Sequence, residues 1–228
     1  MKSVRRLLTR KYFYNCSASF CITLCTNSSF ADTSVSTEKF VWNEATQAIV
    51  AQADAQNGKV IAQEKCNSCH GENGISAKED QDIPNLAGQP AVYLFKQGKD
   101  FISDLRENRG MKRRVNKLSD QELADVAAWY ASLPPANTTE TPPTPPDIVI
   151  NGFPDRNMPG CAVCHGPAGE GVAPFIPRLA GQKADYMKYT LDDFVTGLRQ
   201  NLDPKTITDV KGLTSHDIDA VTTYYSDL

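Results

Sequence analysis

Cys66-Asn67-Ser68-Cys69-His70-Gly71 and Cys161-Ala162-Val163-Cys164-His165-Gly166 are two copies of one short pattern, C-x-x-C-H. That pattern is the attachment sequence for a covalent c-type haem. Two cysteines three residues apart supply thioether bonds to the haem vinyl groups. The histidine that follows is placed to ligate the iron from the proximal side. Thioredoxin-like or zinc sites also use C-x-x-C. Neither explains a histidine directly after each second cysteine, so both are set aside.

Outward from the motifs, the chain repeats itself. The motifs stand 95 residues apart. Pro84-Asn85-Leu86-Ala87-Gly88-Gln89 matches Pro177-Arg178-Leu179-Ala180-Gly181-Gln182. Tyr93 matches Tyr186, Phe101 matches Phe194, and Leu105-Arg106 matches Leu198-Arg199. Leu118-Ser119 matches Leu213-Thr214, and Trp129-Tyr130 matches Tyr224-Tyr225. Shared spacing of this kind argues for one fold used twice. Between the copies, residues 134–146 read PPANTTETPPTPP. Such a run excludes helix and central strand and favours an extended, semi-rigid spacer. The expected partition is a leader over 1–31, a first domain over 32–133, a Pro-rich linker over 134–146 and a second domain over 147–228.

The leader opens with Lys2, Arg5, Arg6, Arg10 and Lys11, passes through a mixed apolar stretch and reaches Ser29-Phe30-Ala31. This reads as a secretory signal cleaved after Ala31. Asn15, Ser17, Ser19 and Thr23 interrupt its apolar run, so an uncleaved anchor is the alternative. Cys16, Cys21 and Cys25 leave with the leader, and the four remaining cysteines all belong to the two motifs. No pair is left over for a structural disulfide, and an exported, periplasmic protein is the reading that follows. Beyond residue 31 the chain carries 19 basic and 27 acidic residues, a formal balance of −8. That charge argues against nucleic-acid binding. Lys112, Arg113, Arg114 and Lys117 form a basic cluster. It reads either as a solvated face or as a docking patch for an acidic redox partner.

The pattern is helical throughout, giving an all-α fold. Residues 44–66 carry alanines and apolar positions at helical spacing, and residues 90–107 place Tyr93, Leu94, Phe101 and Leu105 on one side. Ser119 with Glu122 three residues on is a capping box opening a helix through Leu133. Thr214 opens the corresponding final helix. Tyr93, Trp129, Tyr186 and Tyr224 are read as core residues, and each haem is expected to replace much of the core that so small a domain lacks. The segment around Met111 and that around Lys205 are read as loops.

Together these features resemble the diheme cytochrome c4 family, built from two tandem class I cytochrome c domains, over most of residues 50–228. The resemblance implies two covalently bound haem c groups and single-electron transfer in the periplasm. It implies redox partners such as a membrane cytochrome complex, a terminal oxidase or a dehydrogenase, with loose peripheral membrane association in some members. It implies a carrier rather than a stand-alone enzyme. In that family each iron has a histidine on one side and a methionine, from a loop before the last helix, on the other. Carried over, Cys66, Cys69 and His70 with Met111 serve haem 1, and Cys161, Cys164 and His165 serve haem 2. Met111 stands seven residues before Leu118; the same count back from Leu213 reaches Thr206. No methionine follows Met187, and Met158 precedes the second motif. Haem 2 thus departs from the family pattern. Its sixth position is open or water-bound beside Thr206, or filled by Lys205, Lys211, His216 or Met187, or covered by a partner. The alternatives to a free carrier are a haem-bearing subunit of a larger oxidoreductase and a redox enzyme binding a small molecule at haem 2.

Overall fold

The computed structural model describes residues 40–77, 82–136 and 142–228. The leader, its cleavage point at Ala31 and Cys16, Cys21 and Cys25 lie outside the described residues, as does the middle of the Pro-rich linker. The described residues all belong to one compact unit. The first lobe contains α1 (Glu44–Ala51), α2 (Ala55–Lys65), α3 (Asn67–His70), α4 (Ala91–Ile102), α5 (Arg109–Val115) and α6 (Asp120–Ser132). The second contains α7 (Asp147–Ile150), a 3₁₀ turn at Pro154–Arg156, α8 (Ala162–His165), α9 (Ala184–Thr196), α10 (Pro204–Lys211) and α11 (Ser215–Ser226). Among the described residues no strand forms, and three isolated β-bridges are the sole extended pairings. The all-α expectation holds.

The expected capping box at Ser119 is present, and Thr214, expected to open the last helix, does so with a second one. Ser119 N–H donates to Glu122 Oε2 at 2.7 Å and Glu122 N–H to Ser119 Oγ at 3.1 Å. Thr214 and Asp217 repeat the exchange at 2.8 and 3.2 Å, opening α11. Each box satisfies two N–H groups that the first helical turn leaves without partners. The expected single helix over 44–66 is instead two. Asp54 breaks it, its carboxylate capping α2 through the N–H groups of Gln56 and Asn57. The Asp54 N–H donates in turn to the buried Asp125 carboxylate of α6 at 2.8 Å, and Asn57 Nδ2 donates to the same group at 2.7 Å. The gain in capping and tertiary hydrogen bonds outweighs helical continuity. α2 then crosses α6 so closely at Gly58 that a Cβ there would lie 1.9 Å from the Asp125 carbonyl oxygen.

Each lobe has its own core. Ile61, Phe95, Phe101, Leu123 and Tyr130 lie at the centre of the first, and Val149, Met187, Val221, Tyr224 and Tyr225 at the centre of the second. The two segments read as loops are helices. Asn108 caps α5, and Asp203 with Pro204 at the first helical position starts α10, a role for which proline is suited because its missing N–H is not needed there.

The lobes meet through the repeated segments, residue against corresponding residue. The Asn85 N–H donates to Gln182 Oε1 at 2.9 Å while Gln182 Nε2 donates to the Asn85 carbonyl at 2.9 Å. Gln89 makes the same double bond to the Arg178 backbone, at 2.8 and 3.0 Å. Arg106 donates to Tyr186 Oη at 2.8 Å, and Arg199 reaches Tyr93 Oη at 3.5 Å. Both guanidinium groups also bond Gln97 Oε1, each at 2.9 Å. The Gln200 N–H donates to the Leu105 carbonyl at 2.9 Å and the Glu107 N–H to the Leu198 carbonyl at 3.3 Å. A pseudo-twofold relation follows. Tyr186, expected as a core residue, packs against the second core and also meets Arg106 of the other lobe, while Tyr93 meets Arg199. At the end of the linker, Pro143, Thr144 and Pro146 line a groove with His216 and Tyr224 of α11.

Gln182 is buried, so Gln182→Ala leaves a buried N–H and carbonyl unpaired at Asn85. The expected cost is about 2–3 kcal/mol, which lowers Tm by roughly 5–10 °C. Thermal unfolding of the holoprotein checks it, and a Tm within about 1 °C of wild type would contradict the role of the clasp.

Candidate functional site

Each C-x-x-C-H motif closes into one helical turn, α3 or α8, with its first cysteine as the N-cap residue. Residues three apart share a helix face, so the turn brings its two thiols to one side. Cys66 and Cys161 are half-buried, Cys69 and Cys164 exposed, and no two of them are joined in a disulfide. Before haem is attached, burial raises the thiol pKa of Cys66 and pushes that of Cys161 up to about 11. The chain turns sharply after each histidine. Gly71 and Gly166 sit at φ 76° and 85°, the left-handed region that favours glycine. A Cβ on Gly71 would lie 2.0 Å from the Ile75 carbonyl oxygen.

The imidazoles are held alike. His70 Nδ1 is 3.1 Å from the Pro84 carbonyl oxygen and His165 Nδ1 is 2.9 Å from that of Pro177. A carbonyl only accepts, so Nδ1 carries the proton and the Nε2 lone pair is free. Burial lowers the pKa of both histidines against the opposing pull of these bonds. Burial favours the neutral imidazole, and the carbonyl bond fixes its one proton on Nδ1, leaving an outward Nε2 donor, the form that binds a metal. The sequence reading missed Pro84 and Pro177 as holding groups, although the signal was present: the proline recurs at the head of both repeated hexapeptides.

Of the other candidates, Met111 lies on α5, half-buried against the first core, which Cys66 also borders. Its N–H donates to the Asn108 cap at 2.9 Å. Met187 is 6% exposed inside the second core, on α9. Lys205, Lys211 and His216 are exposed. Lys205 Nζ pairs with Asp209 Oδ2 at 2.6 Å, and His216 lies on α11 beside the linker prolines.

The lobes differ beneath the motifs. Tyr130 Oη donates to Asn67 Oδ1 at 3.2 Å. In the second lobe Ala162 stands in place of Asn67, and among the described residues the buried Tyr225 Oη has no partner. Trp129 Nε1 is likewise buried without a partner among the described residues. An unpaired buried indole N–H of this kind is what a bound group rich in acceptors satisfies. With paired thiols, a free Nε2 and apolar walls in each lobe, the residues fit a haem carrying propionates.

The comparisons agree with this geometry. The model of the cytochrome c family matches twice, over residues 55–134 and 157–228. Cytochrome c4 of Thiocapsa roseopersicina is 40% identical over 154 residues, covering 65% of this chain and 78% of that protein. The thiosulfate dehydrogenase electron acceptor of Stutzerimonas stutzeri is 32% identical over 181 residues, covering 76% and 83%. The crystal structure of reduced cytochrome c4 from Pseudomonas stutzeri superposes with a TM-score of 0.66 at 30% identity, covering 77% of this chain and 99% of that one.

Ala162→Asn is expected to give Tyr225 the partner that Tyr130 has. One restored buried hydrogen bond is worth about 1 kcal/mol, a rise in Tm of roughly 2–4 °C. Thermal unfolding checks this, and an unchanged or lowered Tm would mean that position 162 does not face the phenol.

Proposed function

The chain belongs to the diheme cytochrome c4 family, tandem class I cytochrome c domains with two covalently bound haem c groups and a role in electron transfer, and from that membership we propose how its residues divide the work. Cys66 and Cys69 hold one haem and Cys161 and Cys164 the other, through thioether bonds. His70 and His165 are the proximal ligands, and Met111 is the sixth ligand of haem 1. Once bound, each haem supplies a one-electron couple, so no side chain need act as nucleophile or general base.

The observation that carries the reading is the repeated imidazole-to-proline bond. It fixes the tautomer and the plane of each ring, so Nε2 points one way in both oxidation states and reorganisation stays small. The thioether of Met111 is a soft ligand that favours low-spin iron and a raised potential. The interlobe clasps hold the two haem pockets in one fixed relation. That supports internal electron passage between them.

The site of action is outside the cytoplasm, in the periplasm, which follows from the leader and from the confinement of the remaining cysteines to the motifs. Among the described residues no helix is long and apolar enough to cross a membrane. The partners are redox proteins: a membrane cytochrome complex or terminal oxidase that takes electrons, and a dehydrogenase that gives them. The relative named as a thiosulfate dehydrogenase electron acceptor supports the dehydrogenase as donor. It also favours a second reading, a haem-bearing subunit held by a larger oxidoreductase, which a stoichiometric complex surviving purification would establish.

Two measurements test the assignment. The double variant Cys66→Ala, Cys69→Ala is expected to keep one covalent haem where wild type keeps two, by pyridine haemochrome assay and intact mass; two retained haems would refute the attachment. Met111→Ala is expected to remove the near-infrared methionine-to-iron band of the oxidised protein, and a surviving band would refute Met111 as ligand.

The basic face of α5 offers a further test. Arg113 and Arg114 are exposed there, whereas α10 mixes lysines with Asp209. An acidic partner or an anionic oxidant is drawn to the α5 side. In Arg113→Glu, Arg114→Glu, stopped-flow oxidation by hexacyanoferrate(III) should slow about tenfold at low ionic strength and converge with wild type at high salt. Equal rates at low salt would leave the cluster as a solvated face.

A further inference from the structure

From the C-x-x-C-H turn onward the two lobes have the same order of helices, and they differ in the helix that precedes the last one. α5 starts from Asn108, whose Oδ1 accepts from the N–H of Met111 three residues on, at 2.9 Å. α10 starts from Asp203, whose Oδ1 accepts from the N–H of Thr206 three residues on, at 3.0 Å. Each position lies seven residues before the leucine that closes its segment, Leu118 or Leu213. α5 packs on α4 as α10 packs on α9, and both Met111 and Thr206 are half-buried. The cap register and the count agree: Thr206 occupies the place of Met111.

The other donors in the second lobe are engaged or face elsewhere. Lys205 Nζ is 2.6 Å from Asp209 Oδ2 and 3.4 Å from the Asn157 carbonyl oxygen. Met187 is packed into the second core. His216 faces the linker groove, and Lys211 is exposed in the last turn of α10. Thr206 Oγ1 itself donates to the Asp203 carboxylate. A neutral hydroxyl is a hard, weak donor that does not replace a thioether on haem iron.

We propose that haem 2, held by His165, has no side-chain ligand at its sixth position and binds a small neutral ligand there, beside Thr206. This rests on the reading of Met111 as the sixth ligand of haem 1. Neutral ligands are favoured because the Asp203 carboxylate disfavours an incoming anion, and because reduced iron binds neutral π-acceptors such as carbon monoxide and nitric oxide. The Thr206 hydroxyl, its proton given to Asp203, presents only lone pairs and so favours a ligand that is apolar or itself carries a proton. Haem 1, closed by Met111, stays an electron carrier, so the two lobes divide relay from binding.

The test is an anaerobic titration of the reduced holoprotein with carbon monoxide, followed in the Soret band, for wild type, Thr206→Met, Thr206→Val and Met111→Ala. Wild type and Thr206→Val are expected to bind one carbon monoxide per two haems. Thr206→Met is expected to bind about 100-fold more weakly, because a tethered thioether competes at high effective concentration. Oxidised Thr206→Met should also show a second near-infrared methionine-to-iron band. No binding by wild type, or binding by Thr206→Met at wild-type affinity without the second band, overturns the proposal. Met111→Ala separates the two claims. If it retains the wild-type methionine band, the haem 1 assignment has failed. If it loses that band and wild type binds no carbon monoxide, the assignment stands and the haem 2 proposal has failed.

Discussion

The structure depends on one six-residue segment used twice, headed by Pro84 and by Pro177. The proline carbonyl orients the imidazole of its own lobe, His70 at 3.1 Å and His165 at 2.9 Å. The glutamine that ends the segment clasps the residue after the proline in the other lobe, Gln182 on Asn85 and Gln89 on Arg178. Histidine orientation and lobe docking are therefore set by the same backbone. A shift of one lobe against the other would pull on the carbonyl that holds the opposite imidazole. This gives the two sites a fixed mutual geometry.

Polar groups join the lobes alongside an aromatic contact of Phe175 with Phe40 and Trp42. Arg199 is only 3% exposed, and a buried charge is costly unless its hydrogen-bonding capacity is met. Its guanidinium bonds Gln97 and Asn201 and stacks 4.5 Å from the centre of the Phe194 ring. Arg106 does the same with Gln97, Tyr186 and Phe101. The two cations oppose the burial that would raise the Tyr186 phenol and bring its pKa below the usual value. Such a network tolerates little variation, which accounts for the recurrence of tyrosine, phenylalanine and arginine at matching places in both halves.

Much of this was legible beforehand. The C-x-x-C-H pairs and the internal repeat gave the helical, two-lobed architecture, and Ser119 and Thr214 marked helix starts where the structure has them. What escaped were effects carried by tertiary contacts. The break before Asp54 depends on Asp125, far along the chain. α5 and α10 are short and mostly polar or charged, too brief for a pair of apolar positions to stand out, so Met111 and Lys205 read as loop residues. Tyr93 and Tyr186 read as core aromatics, and their contacts to the other lobe went unseen because periodicity does not distinguish a lobe's own core from the surface it shares. The repeated glutamine and arginine were the available signal, since polar residues kept in both copies at one spacing need a polar reason.

The account turns on a single difference between nearly equal halves: Met111 in one, Thr206 in the other. Low-temperature EPR of the purified, oxidised protein reads it most directly. One low-spin signal of the histidine–methionine type together with one high-spin haem is the predicted result. Two low-spin histidine–methionine signals of equal weight would contradict it and would mean that a second methionine reaches iron in the second lobe.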